Sequence, residues 1–242
     1  MRKILLLFSL FCIVACSKEA EPDLKPKLTQ FQYTLAHGDN ANIVGENLTG
    51  LTWISDYNFV ATTSGGTINA HYVGEATITN LDYNFNIKVI VEPQVRLFHN
   101  NYNSKYLDVN WGVSKSSIKS QFPEAVNTNG YLGVNTQDKA VPAILYHFTN
   151  DKLDYYAMGV DLSSGEELVD YLAERYAPLA QVDTYDFTFV HRDNKDKEDF
   201  LVYVSISTSF ITVMFVPVST KTKSAEPKID EIAKILERVK LR

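Results

Sequence analysis

Hydrophobic and polar positions divide this chain of 242 residues into four textures. Residues 4–15 are an almost unbroken apolar run behind Arg2 and Lys3. From 28 to 93 no helical period stands out. Apolar and β-branched residues come in short runs (28–34, 41–44, 51–55, 59–63, 67–70, 75–79 and 85–91), split by turns such as His37-Gly38-Asp39-Asn40 and Ser64-Gly65-Gly66. Short strands at this spacing predict an all-β sandwich, with Trp53 as its core plug and Gly66 and Gly74 where a Cβ would strain the chain. Pro93 ends the last strand and sets the boundary at Glu92-Pro93-Gln94.

From 95 to 218 helical and alternating patterns mix. Ser114 is placed to cap a helix over 115–122 that Pro123 stops. Strands are expected at 130–134, 140–148 and 153–162. Ser163 or Ser164 then caps a helix over 165–176, with Glu166 and Glu167 in its first turn, an apolar stripe of Leu168, Tyr171, Leu172 and Tyr176, and Pro178 as its stop. Three more strands follow at 182–190, 200–207 and 209–218. The tail, 219–242, ends in an amphipathic helix from about Pro227, with Ile229, Ile232, Leu236 and Val239 on one face and Asp230 spaced to pair with Lys234. That helix reads as docking on the domain before it; a membrane-surface or partner helix is the alternative.

The N-terminus changes where the protein is expected to work. An apolar run of about a dozen residues is too short to span a bilayer, and a basic start marks an export signal. The run closes on Ile13-Val14-Ala15-Cys16, which resembles the bacterial lipoprotein box. That resemblance implies cleavage before Cys16, acylation of Cys16 and an outer-membrane site, with Ser17 as a sorting residue and Lys18-Glu19 similar to surface-export signals. The expected organisation is a signal peptide (1–15), a lipidated tether (16–27), a β-sandwich (28–93), an α+β domain (95–218) and the helical tail (219–242).

Composition narrows the chemistry. There are 23 Lys+Arg against 29 Asp+Glu, for a formal charge of −6, and no basic field for nucleic acid. The two cysteines are Cys12 and Cys16, so cleavage leaves the folded part without a thiol nucleophile or a cysteine-ligated metal. The five histidines, His37, His71, His99, His147 and His191, show no metal-ligand spacing. There is no Gly-x-Ser-x-Gly elbow and no phosphate loop, and Lys195 and Lys197 oppose a calcium reading of the acidic turn 193–199. No cofactor is expected. Ten of the 14 tyrosines fall beyond residue 93, a bias suited to contact surfaces as well as to sheets.

Two resemblances add to this reading. The segment Leu51-Thr52-Trp53-Ile54-Ser55, then Gly66-Thr67-Ile68-Asn69-Ala70, Val73-Gly74-Glu75-Ala76-Thr77-Ile78-Thr79 and Val89-Ile90-Val91 resembles the bacterial Ig-like family of adhesins and surface proteins. The order helix, strands, helix, strands, with the phrase Trp111-Gly112-Val113-Ser114-Lys115, is similar to β-lactamase-inhibitor-protein-like domains, in which helices cover one face of an antiparallel sheet. Together they imply an all-β Ig-like sandwich followed by an α+β domain of two tandem helix-plus-strand units. The expected function is a lipid-anchored binding or adhesion protein for a glycan or protein partner. A protein inhibitor or envelope assembly factor is the runner-up, and a glycan-processing hydrolase a more distant third. The expected contact face follows from strand alternation: Thr184, Asp186, Thr188, Tyr203, Ser205 and Ser207 point away from the helices as a polar patch around one aromatic ring.

Overall fold

The computed structural model describes residues 25–98, 106–107, 109–181, 186–191, 200–218 and 229–240. The expected export signal, Cys16, His99, Thr184 and the expected turn at 193–199 lie outside these residues.

The chain is mostly β, in several largely antiparallel sheets. Nine short strands come first: β1 (Lys27–Leu28), β2 (Gln32–Ala36), β3 (Asn40–Asn42), β4 (Gly45–Glu46), β5 (Ile54–Ser55), β6 (Ala61–Ser64), β7 (Thr67–Ala70), β8 (Gly74–Asn80) and β9 (Phe85–Glu92). They form a four-stranded sheet in the order β2-β9-β8-β5, a three-stranded sheet β3-β7-β6 and a small β1-β4 ribbon. All pairings are antiparallel except β2 with β9. Alternation buries one side of β7, β8 and β9. Ile78, Ile87, Val89 and Val91 from one sheet meet Ala61, Ile68 and Ala70 from the other in a common cluster with Tyr33 and Trp53. Trp53 is buried there and stacks on Phe85. Gly74 has φ +152°, and a Cβ on it would lie 2.7 Å from Val60 Cγ2.

The second part holds α1 (Lys115–Gln121), β10 (Val126–Thr128), β11 (Tyr131–Asn135), β12 (Ala143–Thr149), β13 (Lys152–Val160), α2 (Gly165–Ala173), β14 (Ala177–Gln181), β15 (Asp186–His191), β16 (Phe200–Ile206), β17 (Ile211–Pro217) and α3 (Ile229–Lys240). Its strands make one eight-stranded sheet, β10-β11-β12-β13-β17-β16-β15-β14, in which each neighbouring pair is antiparallel. Ser114 caps α1 as expected, its Oγ accepting from the Ser117 N–H. Ile118 and Phe122 of the α1 turn, and Leu168 and Leu172 of α2, pack on one face of the sheet with Ile144, Tyr146, Tyr156, Val202 and Phe215.

Three expectations change. The second helix stops at Ala173 rather than 176, and Pro178 lies inside β14. Proline is tolerated because β14 ends the sheet and its register shifts between Pro178 and Ala180. The side chain that caps this region is Asp161, which accepts from Ser163 N ahead of a short 3-10 turn; the Ser164 side chain makes no cap bond. Finally, helices cover both faces of the sheet. Ile232, Ile235, Leu236 and Val239 of α3 pack on the side opposite α1 and α2, against Ala143, Leu145, Tyr155, Ala157, Met214 and Val216. One glycine admits this helix: a Cβ on Gly133 would lie 2.6 Å from Val239 Cγ2.

Candidate functional site

The β15–β16 register sets Asp186 opposite Ser205 and Thr188 opposite Tyr203, so these four share a face as alternation requires. The face is only partly open. Thr188 is buried, and Tyr203 is half-buried against the cluster that α3 builds. Ser207 lies past the end of β16 and closes a turn: its Oγ donates to the Phe210 carbonyl and accepts from the Phe210 N–H.

The other face carries a recess that the strand pattern did not single out. Phe187 and Phe189 of β15, Val204 and Ile206 of β16, and Ile211 of β17 form its floor. The flank of α2 (Leu168, Val169, Leu172, Ala173) forms its wall, and Leu162, Ser163, Gly165 and Glu166 form one end. Its volume is about 720 Å³, within the range of small-molecule sites. The recess exists because Leu168 and Leu172 point α2 into the main core, leaving the neighbouring apolar sheet surface uncovered. Val169 is 65% exposed and Leu162 and Ile206 are also exposed. The sequence held a signal for it. Val169 and Ala173 sit one position around the helix from the Leu168/Leu172 stripe, four residues apart and so on one flank.

A polar cluster lies where β12 turns into β13. His147 Nδ1 is 2.6 Å from Asp154 Oδ1, and Thr149 Oγ1 donates to Asp154 Oδ2 at 2.6 Å. Tyr155 stacks on His147 at 4.4 Å, and its hydroxyl lies 2.6 Å from that of Tyr131. Burial raises the Asp154 carboxyl, but hydrogen bonds from His147 and Thr149 outweigh it and hold the group below the ordinary value. The Thr149 proton is directed at the carboxylate, not at the imidazole, so the trio lacks the nucleophile-to-base order of a hydrolytic triad. It ties β12 to β13 beside the register shift at His147/Phe148.

The other described histidines serve packing and turns. His37 Nδ1 meets the His71 carbonyl, and His71 Nε2 lies 2.7 Å from Thr62 Oγ1. His191 ends β15 and stacks on Phe200. Among the described residues no group of three or more His, Cys, Asp or Glu is arranged to hold a metal.

Comparison of the chain with protein-family models, curated proteins and solved structures found no match.

Proposed function

We propose that the chain is a lipid-anchored binding protein of the bacterial envelope, an Ig-like sandwich followed by two tandem helix-plus-antiparallel-strand units. Support for the first unit is that two small sheets contribute to one apolar cluster within residues 28–91. Support for the second is the strand order: α1 precedes β10–β13, α2 precedes β14–β17, and the two sets meet where β13 pairs with β17. The anchor rests on the Ile13-Val14-Ala15-Cys16 box.

The observation that carries the binding reading is the apolar recess beside α2, a concave site with few polar groups. The same recess serves the inhibitor or assembly-factor reading if a protein segment occupies it, though fold analogy alone is a poor warrant for that choice. Two measurements test the proposal. Metabolic labelling with an alkynyl fatty acid should mark the wild type and leave Cys16→Ser unmarked; equal labelling would remove the anchor. Thermal-shift screening of the full chain against envelope lipids, glycans and peptides should find a saturable ligand whose effect Ala173→Trp abolishes. A screen in which no ligand depends on Ala173 would remove the binding site.

A further inference from the structure

Resting on the lipid-anchor reading, we infer that one pole of the first part, the end away from the second part, lies against the bilayer that holds the Cys16 acyl chains. Its contact residues are Phe31, Val44, Ile54, Leu81 and Tyr83. Among the described residues of 25–98 these are the exposed large hydrophobics, from 47% for Tyr83 to 72% for Leu81. They come from separate stretches of chain, yet strand pairing gathers them at one end. Leu81 and Tyr83 lie in the turn between β8 and β9. Ile54 pairs with Thr79, one residue before β8 ends, and the neighbouring Thr52 carbonyl accepts from the Asn80 side chain. Phe31 enters β2 beside the first half of β9, its carbonyl accepting from the Lys88 N–H. The Val44 carbonyl accepts from the Thr29 N–H, two residues before Phe31.

The opposite pole is taken. There the Val73 N–H donates to the Glu174 carbonyl, and Phe59 stacks on Tyr72 at 4.4 Å and meets the edge of His191. Apolar rings are covered at that end and bare at this one.

What faces the bare pole follows from where the chain enters it. β1 runs alongside β4, with Lys27 opposite Glu46 and Leu28 opposite Gly45, so the residues before Lys25 join the fold at the Val44 end. Between Cys16 and Lys25 stand residues 17–24, which reach at most about 28 Å. Acyl chains on Cys16 therefore keep this pole close to the bilayer, while the eight residues of β9 set the second part about 26 Å further away. Residues 17–24 are poorly suited to cover the patch themselves. Leu24 is their one large apolar residue, among Lys18, Glu19, Glu21 and Asp23. Charge at the pole is balanced, with Lys25 and Lys27 against Glu46 and Asp82, so the contact is apolar and needs no anionic lipid. Tyr83 supplies an amphipathic ring of the kind favoured at membrane–water interfaces.

The test uses the full acylated chain in phosphatidylcholine vesicles. With Cys16 acylated, Leu81→Cys, Val44→Cys or Asp170→Cys gives each variant one free thiol for a bimane label. Spin-labelled lipid should quench the labels at 81 and 44 about twofold or more over the label at 170, which sits on α2. Adding Phe31→Ser, Ile54→Ser and Tyr83→Ser to Val44→Cys should remove most of that quenching while the chain still sediments with the vesicles. Equal, weak quenching at all three positions on a vesicle-bound chain would overturn the contact and leave the anchor in place. Energy transfer between labels at 81 on different copies, without lipid quenching, would give the pole to a second copy and overturn it as well. A chain that carries no acyl group and stays off the vesicles removes the anchor reading and this inference together.

Discussion

Asp154 accepts hydrogen bonds from His147 and Thr149 with only 12% of its side chain exposed. Its carboxyl is held below the ordinary value in the fold. A lowered value means that its contribution is complete above the ordinary carboxylate range and is lost as pH falls through the lowered value. Asp154→Asn should therefore destabilise at neutral pH by about 1–2 kcal/mol, with the gap from wild type closing in strong acid. Paired thermal melts at neutral and acid pH check this; a gap that stays constant means that the ionised form is not what the fold selects. Glu174 is a second buried acid whose hydrogen bonds matter. It is 4% exposed, accepts from the Gln94 and Val95 N–H groups, and pairs with Arg175. Glu174→Ala would leave two backbone donors short of a partner and remove the carboxylate from a part-buried guanidinium, and urea denaturation should show a loss of about 2–3 kcal/mol. Neither role could be read from the sequence. Asp154 and Glu174 look there like ordinary strand and helix-end acids, because their partners come from other elements.

At the scale of elements, local chemistry foretold most of what forms. The Ser114 cap, the Pro123 stop and the Leu168/Leu172 stripe act within one or two turns, so the chain carries them openly. The elements that escaped notice, β10 and β14, are the two edges of the large sheet, where a strand need bury only one side and can hold a proline. The tail helix was visible by period, but the face it covers was not, since that depends on Gly133 leaving room for Val239 on a strand about a hundred residues earlier. This coupling is measurable. Gly133→Ala places a methyl 2.6 Å from Val239 Cγ2 and should cost about 1–3 kcal/mol. Val239→Ala should be destabilising alone, yet the double variant should lose clearly less than the two added together. Additive losses in a denaturation cycle would mean that α3 does not sit as tightly on β11 as the geometry requires.

At the scale of the whole molecule, the apolar clusters of residues 28–91 and 97–239 share no residue. They meet through a few specific ties. The Val73 N–H donates to the Glu174 carbonyl at 2.8 Å, the Glu174 carboxylate takes the backbone at Gln94 and Val95, and Phe59 meets the edge of His191 at 5.3 Å. Polar ties of this kind hold two bodies together without giving them a common core. Residues 95–242 expressed alone should melt cooperatively, with a lower midpoint than in the full chain because Glu174 loses Val73. A molten fragment, seen by near-UV circular dichroism, would show that the first part completes the core of the second.

The sequence by itself determined the period of the longer inner strands, the capped start of α1, the end of β9 at Glu92 before Pro93, and which side of β15 and β16 is apolar. Each of these follows from residues a few positions apart, acting through backbone geometry and local hydrogen bonds. Only the tertiary structure decided that α3 covers the second face of the sheet, that Tyr203 borders its cluster rather than an open patch, and that the flank of α2 leaves an apolar recess over Phe187 and Phe189. Those outcomes depend on how far one packed element reaches across another. Side-chain volume at distant positions sets that reach, and a one-dimensional pattern of apolar and polar residues does not encode it.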